Sequence, residues 1–196
     1  MAVNLLDSAK GYLTDHLVNQ ISRMLGEDQQ HTQKAFDGAL PVVLNGIVQK
    51  VAKPGGISAV MDLVSEVSIP NRANDEVIVP VGGVLTELEG ALSADTQPGS
   101  LLSMGADINH SLFGSNSESI AGALASYSGI KQSSASSILN LTGPILLTVI
   151  RLKMADHGNG LSGLTSLLNS QTANLQSALP SGLRTFPAQL PSEGKN

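Results

Sequence analysis

Two stretches of this sequence say nearly the same thing 103 residues apart: "ALPVVLNGIVQK" at 39–50 and "TGPILLTVIRLK" at 142–153. Wound as a helix, the first has Leu40, Val42, Val43, Leu44, Ile47, Val48 and Val51 spread over almost its whole circumference. An element with no polar face must be covered on all sides, so such a helix belongs at the centre of a fold. Each stretch also carries a proline, Pro41 or Pro144. In a helix interior that residue removes one backbone hydrogen bond and costs about 3 kcal/mol. Its presence at the same place in both stretches predicts a kink or a helix restart there. Together these features predict an all-α fold made of two homologous multi-helix units, each organised around a buried, proline-containing helix.

The register extends well beyond the two apolar stretches. Residues 17–55 pair with 120–158 through eight identities: Gly26 with Gly129, Gln29 with Gln132, Pro41 with Pro144, Leu44 with Leu147, Ile47 with Ile150, Lys50 with Lys153, Ala52 with Ala155 and Gly55 with Gly158. Chance supplies about three for such a composition. In each unit a first helix holds apolar residues at three- and four-residue steps: Leu17, Val18, Ile21, Met24 and Leu25, or Ile120, Ala121, Leu124 and Tyr127. It stops at Gly26 or Gly129. The proline helix then runs to a second stop, Gly55 or Gly158, and a short amphipathic helix follows over Ile57–Val67 or Leu161–Leu168. The organisation expected is a first repeat over residues 1–68, a connection over 69–103, a second repeat over 104–184 and a disordered tail over 185–196. Within the connection "VLTELEGAL" reads as a helix, "SADTQPGS" as a turn, and Val77–Val81, β-branched but with no partner strand, as a helix or an extended loop.

Composition limits what such a fold can do. A formal charge of −5 removes the electrostatic attraction on which binding to a phosphate backbone depends, so nucleic acid is not an expected partner. Without cysteine there are no disulfides, thiolate nucleophiles or thiolate metal sites. The N-terminus lacks a basic region followed by an apolar run, which predicts a cytoplasmic protein without a signal peptide. Asn45 and Gln49 interrupt one apolar run and Thr148 and Arg151 the other, so no membrane-spanning helix of ~20 apolar residues is expected.

Motifs that could carry chemistry are sparse. Tyr127 and Lys131 have the Tyr-x-x-x-Lys spacing of a proton-transfer pair, but no glycine-rich strand-to-helix turn supplies a dinucleotide site, and Tyr127 aligns with Met24, a packing position. Of His16, His31, His110 and His157, only His110 has an acidic neighbour at helical spacing, Asp107. Two ligands fall short of a zinc site, so no metal or other cofactor is expected. Ser117 and Ser133 read as helix starts whose hydroxyls cap free N–H groups. Ala121, Gly122 and Ala125 form a small-residue face suited to close helix association.

The string formed by Leu112-Phe113-Gly114, "IAGALASYSGI", "ILNLTGPILLTVI", "GLSGLTSLL" and "ALPSGL" resembles the YidB-like family of bacterial proteins, domain of unknown function 937. The first half, from "ISRMLGEDQQHTQKAFDGALPVVLNGIV" to "PGGISAVMDLV", resembles the same motif again, as two copies in tandem. The resemblance implies a small all-helical fold, sometimes described as homeodomain-like, and brings no activity, cofactor or functional residue. Near the region that would bind DNA in such a fold this chain has only Lys131, Arg151 and Lys153. The expectation is therefore a non-enzymatic protein whose partner is itself or another protein. A binder of an apolar small molecule or lipid between the units, at Leu44, Ile47, Leu147 and Ile150, is the alternative. A hydrolase using Asp107 and His110 is the third reading.

Overall fold

The first helix, α1 (Leu5–Tyr12), starts where Asn4 leaves extended backbone and its side chain accepts from the N–H groups of Leu6 and Asp7. Thr14 does the same for α2 (Asp15–Leu25) through the Leu17 N–H, and Asp28 for α3 (Gln29–Val51) through the Gln30 N–H. The chain then forms α4 (Gly56–Glu66), α5 (Gly99–Phe113), a single 3-10 turn (Gly114–Asn116), α6 (Ser117–Ser128), α7 (Gln132–His157) and α8 (Leu161–Ala178). The computed structural model describes residues 4–66, 99–157, 160–181 and 183, and among these the regular structure is all helical. The helix read in "VLTELEGAL", the helix or extended loop expected at Val77–Val81, the stop at Gly158 and the tail 185–196 lie outside the described residues.

Both first-helix stops fall where the periodicity ends. Gly26 has φ 66° and Gly129 φ 81°, a left-handed backbone that costs glycine nothing and lets the last helical carbonyls find donors. After Gly26 the Glu27 N–H reaches back to the Ser22 carbonyl at 2.9 Å, and after Gly129 the Ile130 N–H reaches the Ala125 carbonyl at 3.3 Å. Gly55, with φ 75°, marks the second stop in the first half.

Four expectations change. α3 and α7 run through Pro41 and Pro144 as single helices, so the chain does not restart at either proline. α8 continues to Ala178, ten residues past the expected end at Leu168, because polar residues that break its apolar pattern still belong to it. Gly99 and Ser100, read as part of a turn, open α5. Ser117 does begin α6, but its hydroxyl donates to the Gly114 carbonyl at 3.1 Å instead of capping an N–H.

α3 and α7 form the centre. α3 packs against every other helix, and α7 against α1, α3, α4, α5, α6 and α8. From Gly38 to Ile47 every residue of α3 is buried, as the all-round apolar pattern requires. One continuous hydrophobic core joins both halves, from Leu5 to Leu183. Burial of a large aliphatic side chain stabilises by about 1.5–3 kcal/mol, so this shared core is what holds the halves together. Glycines set the closest approaches: a Cβ at Gly38 would stand 3.0 Å from Leu124 and Tyr127 of α6, and one at Gly105 of α5 would overlap the backbone carbonyl of Asn140 in α7. Gln132–Met154 is long and apolar enough to cross a membrane by length and composition, although the run had been expected to fall short. Thr and Ser lower mean hydropathy little, and 67% of the apolar window is buried inside this fold.

Candidate functional site

Proline has no N–H, so the carbonyl four residues before it loses its helical partner. For Pro41 that carbonyl belongs to Asp37, and for Pro144 to Asn140. The two have different surroundings. Gly105 of α5 packs directly on the Asn140 carbonyl. Asp37 and Pro41 instead line a groove of about 300 Å³ between α1, α3 and the end of α8.

The groove mixes polar and apolar surface in nearly equal parts. α1 and its cap contribute Asn4, Leu6, Asp7 and Lys10, and α8 contributes Asn174, Ser177 and Ala178. Lys10 Nζ lies 3.0 Å from Asp37 Oδ1, and Asn4 Nδ2 donates to Asp7 Oδ2 at 2.6 Å. A buried bond fixes the wall: the Leu5 N–H donates to Gln171 Oε1 at 3.0 Å, and Gln171, with no exposed surface, docks α1 against α8. Two carboxylates face one ammonium, which leaves the lining with a net charge of −1 by count of Asp7, Asp37 and Lys10. No single stretch of sequence announces this site, because its segments, around residues 4–10, 37–41 and 174–178, lie apart in the chain and meet only through packing.

The residues singled out from sequence are distributed otherwise. Leu44, Ile47, Leu147 and Ile150 all belong to the hydrophobic core with no exposed surface, and none lines the groove. Ala121 and Ala125 are buried within the chain and Gly122 is half-buried, so this face is used chiefly in intramolecular packing. Tyr127 lies beneath Lys34, whose Nζ is 5.1 Å from the ring centroid, while the Lys131 N–H donates to Glu27. Asp107, His110, His16 and His31 are exposed, and among the described residues no three His, Asp or Glu side chains converge as metal ligands would.

A second polar feature joins the halves. Gly26 turns the chain so that Glu27 faces the start of α7, where Glu27 Oε1 accepts from the Lys131 N–H at 3.1 Å and from Ser134 Oγ at 2.7 Å. The Ser134 hydroxyl and then the Lys131 N–H lower the Glu27 pKa, with burial opposing them and Lys131 and His31 adding attraction. The cap of α7 thus comes from the other half of the chain, not from Ser133 as its position suggested.

Residues 7–153 match the family described as bacterial protein of unknown function, DUF937. No curated protein and no solved structure matches the chain.

Proposed function

The chain belongs to the DUF937 family of bacterial proteins of unknown function, and from that premise we propose that it is a non-enzymatic interaction protein, built from two tandem copies of one helical unit. The units are α1–α4 and α5–α8, each with a glycine-stopped helix followed by a proline helix. The observation that carries the reading is the use made of buried hydroxyls. Ser22, Thr32, Ser128 and Thr142 each donate to a carbonyl three or four residues earlier in their own helix, and Ser134 donates to the Glu27 cap. These groups serve the backbone instead of converging on a reacting atom. Self-association would use outer faces rather than Ala121 and Ala125.

Molar mass by light scattering during size exclusion, over a hundredfold range of concentration, tests this. A discrete oligomer or a mass that grows with concentration supports assembly; a strict monomer at every concentration sinks self-association. A second reading, binding of a small molecule between the units, is favoured by the groove, which α1 and α3 of one unit form with α8 of the other. The charged groups in its lining, Asp7, Lys10 and Asp37, call for a ligand that carries a polar group rather than the wholly apolar one expected at the core residues.

A further inference from the structure

We propose that the groove between α1, α3 and α8 binds a compact organic cation, a primary ammonium or guanidinium group; this deepens, and rests on, the reading of that groove as a ligand site. Size decides first. Two turns of helix, about 10 Å across and 11 Å long, need on the order of 800 Å³. The groove offers about 300 Å³, too little for a docked helix and at the small end for a ligand. Charge decides next: Asp7 and Asp37 outnumber Lys10, and Pro41 leaves the Asp37 carbonyl without its helical donor, adding an acceptor at the same residue. The site already holds one cation of this class. Lys10 Nζ sits 3.0 Å from Asp37 Oδ1, in a pair whose side chains are 47% and 38% exposed, and an ion pair so open to solvent exchanges easily.

The second unit supplies the contrast. In the 103-residue register Asp37 corresponds to Asn140 and Lys10 to Phe113, so the equivalent place carries neither charge. Its proline-freed carbonyl is closed off by Gly105. The charged pair lies in the unit that has the groove.

The test is a ¹H–¹⁵N correlation titration of the full chain with putrescine, methylguanidinium, a capped peptide carrying one arginine, and, as comparison probes, acetate and 1-butanol. The expected result is saturable shifts confined to amides near Leu6, Lys10, Asp37 and Ser177 with the cations. Lys10→Met removes the resident competitor and should tighten binding by up to roughly fivefold, while Asp37→Asn should weaken it by roughly two- to fivefold, on the order of one solvent-exposed charge pair. Circular dichroism of both variants establishes that they fold. Binding of putrescine or methylguanidinium assigns the cation to a free molecule, and binding of the peptide alone assigns it to a partner's arginine; either supports the proposal. Saturable shifts with acetate or butanol but not the cations would overturn the cation class and leave a ligand site. No localised shift with any probe would overturn both, and a titration indifferent to Asp37→Asn would overturn the assigned contact.

Discussion

Around Pro144 the second half of the chain closes over its proline helix, whereas around Pro41 the first half stays open. The covering element makes the difference. α5 runs from Gly99 to Phe113 and lies along α7, with Gly105 against the Asn140 carbonyl and Ile108 against Gly143. α1, which falls opposite the last turns of α5 in the 103-residue register, starts at Leu5 and leaves Asp37 and Pro41 facing a groove. The same central pattern, apolar all round with one proline, therefore fixes a buried helix in both halves. The flanking residues decide whether a neighbouring helix packs onto the proline turn, as Gly105 does at Asn140, or a groove borders it, as at Asp37.

The largest effect should come from breaking the seal. In Gly105→Ala the new methyl would overlap the Asn140 carbonyl, a backbone atom that cannot swing aside. α5 must shift from α7, at about 3 kcal/mol or more. A fall in Tm of roughly 6–12 °C is expected for a chain of this size. Gly11 of α1 gives the control. Gly11 has no atom within 4 Å of an added Cβ, and Gly11→Ala should be neutral or raise stability by up to ~1 kcal/mol through helix propensity. Equal losses from both substitutions, measured by thermal unfolding, would remove the claim that close packing at Gly105 distinguishes the halves.

A smaller effect tests the cap. α3 is capped locally by Asp28, but the residue opposite Asp28 in the register is Lys131, so α7 borrows Glu27. Glu27→Ala should cost about 1–2 kcal/mol near neutral pH. Adding Lys131→Asp should restore most of it by giving α7 a cap of its own. The pH dependence has a definite sign. The folded pKa of Glu27 lies below its ordinary value of 4.5, so its contribution is fully present above that value and is lost as pH falls through the folded pKa. The difference in Tm between wild type and Glu27→Ala should be constant above about pH 5.5 and shrink below 4.5. A difference that grows in acid would mean that Glu27 is not held as an acceptor.

These contrasts also mark how far the sequence could be read. α2, α3, α4, α6 and α7 were legible because three- and four-residue spacing, glycine stops and all-round burial are local signals. α1 and α5 were not singled out: α1 is two turns long, and α5 mixes its apolar residues with Ser103, Gly105, Asp107 and Asn109. The end of α8 was missed for a related reason. Gln171 looks like a surface residue in sequence, yet it is fully buried because its side chain satisfies the Leu5 N–H, 166 positions away. The groove was invisible for the same cause, since Asp37 gains its neighbours Lys10 and Ser177 only when the chain ends meet around α3. Polar residues with long-range partners are where local pattern and final position part.

Asn109 offers the finest test of that rule. It is 1% exposed; its Nδ2 donates to Asn140 Oδ1 at 2.9 Å, while its own Oδ1 has no hydrogen-bond partner among the described residues. Its counterpart in the register is Leu6, a core residue at the equivalent place in α1. Leaving a buried carbonyl oxygen unpaired costs about 1–3 kcal/mol, so Asn109→Leu removes a penalty as well as a bond. Asn140 is only half-buried, and water can replace the lost donor. The expected outcome in urea unfolding is a change within about 1 kcal/mol, on the stabilising side. Asn109→Ala, which removes the bond and leaves a cavity, should instead destabilise by roughly 1–3 kcal/mol. If Leu proves as harmful as Ala, the amide is specifying how α5 sits on α7, and the sealed half owes its closure to a polar contact as much as to Gly105.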